Sequence, residues 1–175
     1  NYGGGVAILA GATMTMTGGT ITGNEVDTAG GGVYLAEGGT LELGGPAAIN
    51  GNTVSSADNN LYLPTTGATW AQIEAATGEI GVTHGEADYN VIVGTPSGYT
   101  ITRADEDAYT YDGGYYDIRL KDGNLVLYWH TVGVDIEGDG INSSYPDDES
   151  PKGEDFDTIL TPEEGYELPD NIEVD

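Results

Sequence analysis

Gly3-Gly4-Gly5-Val6 recurs 27 residues later as Gly30-Gly31-Gly32-Val33, and each copy runs on through a short apolar stretch to a glycine, Gly11 or Gly38. Thr13-Met14-Thr15-Met16 then aligns with Thr40-Leu41-Glu42-Leu43. With one residue inserted, Ile21, Gly23, Asn24 and Val26 align at an offset of 28 with Ile49, Gly51, Asn52 and Val54. A third copy begins at the same offset, with Asp58-Asn59-Asn60-Leu61-Tyr62-Leu63 in the places of residues 30–35. A fixed period of this length means that one small structural unit is repeated and that neighbouring units bury each other's apolar face.

The unit is built from strands. Val6 and Ile8, Met14 and Met16, Val33 and Leu35, and Leu41 and Leu43 alternate with small or polar residues between Gly-Gly and Gly-Asn punctuation. No apolar stripe at three-to-four spacing supplies a crossover helix, so successive periods stack most simply as turns of a parallel β-helix, about 4.8 Å apart. Three short strands per turn fit the period. Ile21 then lies beneath Ile49, Met14 beneath Leu41, and Val6, Val33 and Leu61 form one column. Asn24 and Asn52 form an amide ladder at a corner, each side chain donating to the next. The glycine triplets provide positive φ or close approach where a Cβ would clash.

The pattern GGGV-[Y/A]-[L/I], then GG-T-[L/M]-x-[L/M], then I-x-GN-x-V, resembles the parallel β-helix arrays of large secreted surface and adhesin-like proteins of bacteria, especially gut Firmicutes. The resemblance covers residues 1–63, and Asn59-Asn60-Leu61-Tyr62-Leu63-Pro64 is similar to the step that closes such arrays before an irregular last coil. It implies a right-handed coil, secretion and a place on the cell surface. Asn1 and Tyr2 provide neither an initiator Met nor a signal peptide, so the chain reads as an excised or processed piece of something longer.

Residues 64–130 read as β structure without the repeat, a terminal coil and cap. Strands are expected at 79–84, 89–93 and 99–102, and as a hairpin in which 115–120 and 125–129 flank Lys121-Asp122-Gly123-Asn124, whose Asp-Gly pair is a hairpin turn signal. Residues 70–76 fit a turn of helix or a strand equally. An unpaired coil end invites aggregation, so this region is assigned to capping. Tyr109, Tyr111, Tyr115 and Tyr116 read as core and rim packing, with a carbohydrate-stacking platform as the alternative.

Charge is uneven. The chain has 30 Asp and Glu against 4 Lys and Arg, a formal charge of −26 that repels nucleic-acid phosphate and anionic lipid. No apolar run approaches the roughly 20 residues of a membrane helix, so neither nucleic acid nor membrane insertion is expected. Without Cys there is no disulfide framework. Residues 131–175 form the most acidic region. Val132, Val134 and Ile136 read as a strand, an acidic loop follows, and further strands are expected at 156–160 and 168–174. Gly153-Glu154-Asp155-Phe156, Leu160-Thr161-Pro162 and Gly165-Tyr166-Glu167-Leu168-Pro169 resemble small β-sandwich-like modules of the same surface proteins. The fold class is therefore all-β: a parallel β-helix at 1–63, a β cap at 64–130, and an acidic, incomplete β-sandwich-like module at 131–175.

Few residues carry recognisable chemistry. Asp135-x-Glu137-x-Asp139-Gly140 has the alternating acidic ligands and turn glycine of a calcium loop, with Asn142 able to add an oxygen. Its twelfth position is Pro146 rather than a bidentate Glu, so it is not an EF-hand, and a solvated acidic linker is the favoured reading. No other cofactor is implied. A polysaccharide lyase needs cationic groups, and residues 1–102 contain no Arg or Lys. A glycosidase needs converging carboxylates, and only Asp27 and Asp58 are placed to approach each other across turns. His84 and His130 lack a partner at motif spacing, and Lys121 and Lys152 lack the context of an Asn cross-link. A flat threonine array of the ice-binding kind is broken by Glu42, Ala47 and Asn50.

The resulting expectation is a non-enzymatic, extracellular structural or adhesive segment, a stalk or a binding scaffold, with a glycan or a host or cell-surface protein as partner. One alternative is a filament subunit that self-associates through open β edges or end-to-end stacking. Another is a fragment of a carbohydrate-active β-helix enzyme.

Overall fold

A computed structural model describes residues 1–64, 69–87, 91–114, 116–129, 141–143 and 160–162. The chain divides into two compact units, Asn1–His130 and Thr131–Asp175.

The first unit is a β-solenoid of about four turns. Turn one contains β1 (Val6–Ile8), β2 (Thr13–Met16), β3 (Thr20–Ile21) and a corner strand, β4 (Glu25–Val26). Turn two repeats it as β5 (Val33–Leu35), β6 (Thr40–Gly45), β7 (Ala48–Ile49) and β8 (Thr53–Val54), with β9 (Ala57–Asp58) folded back on β8 as a small hairpin. Every pairing between the two turns is parallel, and the register is the sequence offset itself: Val6 on Val33, Met14 on Leu41, Ile21 on Ile49, Val26 on Val54. The alternation sends Val33, Leu35, Leu41, Leu43 and Ile49 inward, where each is fully buried.

Stacking continues past residue 63. β10 (Leu61–Leu63) lies on β5, and β11 (Trp70–Ala76) lies on β6 with Trp70 opposite Leu41. Residues 70–76 are thus a strand, drawn out by the edge that β6 presents. Between Gln72 and Ala76 the register slips, and Glu74 crosses Gly44, where an added Cβ would stand 2.3 Å from its Cγ. β12 (Ile80–His84) then serves two faces at once: Ile80 pairs with Ile49, and Val82 pairs with Leu61. In earlier turns the equivalent positions, Ile49 and Leu61, are 12 residues apart, and here they are two apart. The third corner has been cut out, and two sides of the coil have merged.

Turn four comprises the end of β12, β13 (Ile92–Pro96), the short α1 (Arg103–Glu106) and β14 (Tyr109–Tyr111), which pairs with β12. β15 (Tyr116–Lys121) and β16 (Asn124–Trp129) form the expected hairpin, with Asp122 at φ 50° and Gly123 at φ 80°, and β16 closes β13 by antiparallel pairing. Two expectations are corrected. The strand expected at 89–93 is β13, displaced to 92–96, with 88–90 outside the described residues. Residues 99–102 are not a strand, because Thr102 N–H donates to the Asp105 carboxylate (2.8 Å), half of a capping box that starts α1.

In the second unit, β17 (Ile141–Ser143) pairs antiparallel with β18 (Leu160–Pro162). The strands expected at 132–136 and 168–174 lie outside the described residues.

Candidate functional site

The most organised polar feature is a ladder along one corner of the coil. Asn24 donates from both its backbone N–H (3.1 Å) and Nδ2 (2.9 Å) to Asn52 Oδ1. Asn52 repeats the pattern toward Asn60 Oδ1, at 2.8 and 3.1 Å. Asn60 repeats it toward Asp112, with N–H to Oδ2 at 2.7 Å and Nδ2 to Oδ1 at 2.8 Å. Thr83 Oγ1 also donates to Asp112 Oδ2 (2.8 Å). The sequence repeat pointed to Asn24 and Asn52. Asn60 and Asp112 were missed because they come from other repeat positions, Asn60 standing where Gly5 and Gly32 stand and Asp112 lying beyond the repeat altogether.

The glycine triplets make room for this ladder. A Cβ at Gly32 would lie 2.7 Å from Asn52 Nδ2, and one at Gly5 would lie 3.1 Å from Asn24 Nδ2. At Gly81, in the shortened corner, a Cβ would lie 2.3 Å from Asp112 Oδ1 and 2.4 Å from Asn60 Nδ2. The third glycine of each triplet is therefore a packing residue for an amide. In the third copy Asn60 replaces that glycine and supplies the amide that the deleted corner no longer brings.

A second polar cluster lies inside the last two turns. Asp105, buried, accepts from Gln72 Nε2 (2.8 Å), Ala76 N–H (2.9 Å), Thr102 Oγ1 (2.8 Å) and Tyr99 OH (3.0 Å), besides Thr102 N–H. Burial by itself raises its pKa, but the Ala76 and Thr102 donors and the Tyr99 hydroxyl together outweigh it and hold the carboxyl below its ordinary value. Tyr109 OH continues the network to Gln72 Oε1 (3.2 Å), and the Trp70 ring stacks on Tyr109 with centroids 5.2 Å apart. Every strong acceptor site on Asp105 is engaged by the protein, so the group joins α1 to the β11 bulge rather than presenting chemistry.

The remaining candidates are dispersed. Sheet order β4-β8-β9 places Asp58 opposite Thr53, which lies opposite Glu25, so a whole strand separates β9 from the strand leading to Asp27, and the two aspartates are not brought together. Glu42 accepts from Thr15 Oγ1 (2.7 Å) on the outer face. His84 is buried, its Nδ1 accepts from Glu86 N–H (3.2 Å), and burial pushes its pKa down. Asn142 lies in β17 opposite Thr161, while Asp135, Glu137, Asp139, His130 and Lys152 fall outside the described residues. Among the described residues no cluster of three metal-ligating side chains occurs, and no helix is long and apolar enough to cross a membrane.

The aromatic residues are arranged differently from the platform considered for 109–116. Tyr109 and Tyr116 are buried, Tyr111 packs edge-on against Tyr116, and Tyr115 is outside the described residues. A column of aromatic rings is formed instead by Tyr2, which is exposed, and Tyr34 and Tyr62, which are half-buried. Tyr34 and Tyr62 stack at 5.6 Å with planes 9° apart, and Tyr2 tilts onto Tyr34 at 4.7 Å. Rings stacked along the coil axis cover one another's faces and present edges and hydroxyls sideways, which suits polar contact better than the face-on packing a sugar ring seeks. Compared with protein-family models, with curated proteins and with solved structures, the chain matches none.

Proposed function

We propose that this chain is a non-enzymatic structural or adhesive segment of a bacterial surface protein, extracellular, acting as a stalk or binding scaffold. The observation that carries the reading is that backbone pairing, apolar columns and the amide ladder all run along one axis, from Asn24 to Asp112. Load applied along such an axis is shared by many hydrogen bonds, while the side faces remain available for display. The separation of Asp27 from Asp58 supports a scaffold over a hydrolase, and the Tyr2–Tyr34–Tyr62 edge is the side-face feature best suited to polar contact, with a protein surface or with the hydroxyls of a glycan rather than by stacking on a sugar ring.

The test is binding and turnover measured together on a panel of acidic and neutral polysaccharides and cell-surface proteins. The scaffold reading expects binding without cleavage, weakened by Tyr34→Ala and unaffected by Asp27→Asn or Asp58→Asn. Cleavage abolished by either aspartate substitution would replace it with the enzyme reading.

A further inference from the structure

Turn one and turn two have the same architecture but different surroundings. Val33, Leu41 and Ile49 are fully buried, whereas their partners Val6, Met14 and Ile21 are only partly buried, and Leu9 and Tyr2 are 62% and 56% exposed. β1, β2 and β3 each have a neighbouring strand on one side only. Val6 N–H and Ile8 C=O point to turn two, so strand alternation leaves the N–H and C=O of Ala7 directed away from it. The ladder has the same asymmetry. Asn52 Oδ1 accepts two hydrogen bonds from Asn24, but Asn24 Oδ1 accepts none among the described residues. At the other end the ladder stops at Asp112, a carboxylate with no hydrogen to pass on, and β16 closes β13.

We infer that the edge formed by β1, β2 and β3 is a docking surface for one kind of partner: a further β coil of this same repeat, running parallel, whose corner asparagine donates its N–H and amide to Asn24 Oδ1. Such a coil supplies what each exposed group lacks: apolar residues over Val6, Met14 and Ile21, backbone partners for Ala7, and two donors for Asn24. A second copy of the chain meeting this edge about a two-fold axis does not, since its own Asn24 donors point into its own turn two and it offers another acceptor. The ladder is therefore directional: Asn24 Oδ1 can take a further donor at the β1 edge, whereas Asp112 ends it at the other side, where β16 lies antiparallel on β13. The inference concerns the end of the coil and is independent of what the side faces bind.

The experiment fuses a duplicate of residues 30–55 ahead of Asn1 in the full chain, which places the duplicate's Asn52 eight residues before Gly5, as Asn24 stands eight before Gly32 and Asn52 eight before Asn60. The expected result is one cooperative unfolding transition at a higher Tm than the parent, with amide exchange at Ala7 slowed at least about tenfold. A second fusion carrying Asn52→Asp in the duplicate alone places a carboxylate where the donor should be, and is expected to lose most of the gain. An unchanged Tm with Ala7 still exchanging freely overturns the inference. Equal behaviour of the Asn and Asp fusions overturns the role given to Asn24 Oδ1. Light scattering of the unfused chain over a concentration series completes the test: constant monomer mass supports a partner of repeat type, and a concentration-dependent dimer with Ala7 protected overturns it in favour of a second copy.

Discussion

A side-chain amide both donates and accepts, so a stack of asparagines can extend indefinitely, whereas a carboxylate only accepts and ends it. Asp112 occupies that terminal place, taking three hydrogen bonds from Asn60 and Thr83. Asp112→Asn must turn an –NH2 toward a donor on Asn60 whichever way it is rotated, and urea unfolding should show a loss of about 1–3 kcal/mol. Asp105 behaves differently because its charge is the point. Its pKa is lowered from 3.8, so the stability it contributes is fully present above that value and is lost as pH falls through the still lower folded-state value. Thermal melts of the parent and Asp105→Asn should therefore be separated by a constant gap at neutral pH that narrows below about pH 4; a gap independent of pH would show that the ionised form is not what the donors stabilise.

At the scale of elements, glycine does two jobs that the letter alone does not separate. Gly32 has ordinary φ but no room, with Asn52 Nδ2 at 2.7 Å and Asn60 O at 2.8 Å from an added Cβ. Gly11 has room, with nothing within 4 Å, but a φ of 77°. Gly11→Ala should cost about 1–2 kcal/mol from backbone strain. Gly32→Ala should cost more, since it drives an amide and a backbone carbonyl apart, and it alone should speed amide exchange at Asn52. The hairpin was legible from Asp122-Gly123, and the strands of turns one and two from alternation, because both signals are local. The bulge at 72–76 and the merged β12 were not, because each exists only through the edge that an earlier turn presents.

For the molecule as a whole, a formal charge of −26 opposes compaction by self-repulsion. Raising salt from about 0.01 M to about 0.15 M shortens the screening length from roughly 30 to roughly 8 Å and should raise Tm; a falling Tm would mean that attractive pairs outweigh the repulsion. With 30 acidic residues against 4 basic ones, repulsive pairs far outnumber attractive pairs such as Arg119 with Asp117, which makes the rise the expected outcome. Periodicity by itself determined the stacking, the register of turns one and two, and the place of Asn24 over Asn52, because in a coil the sequence period is the spatial neighbour. What only the tertiary structure decided is how the repeat ends. Losing 10 residues from one corner brings Ile80 and Val82 onto neighbouring faces, and Asn60 and Asp112, 52 residues apart, complete a ladder begun by Asn24. Such long-range partners share no period and no local motif, and they are selected only by the donors and the space that the preceding turns leave open.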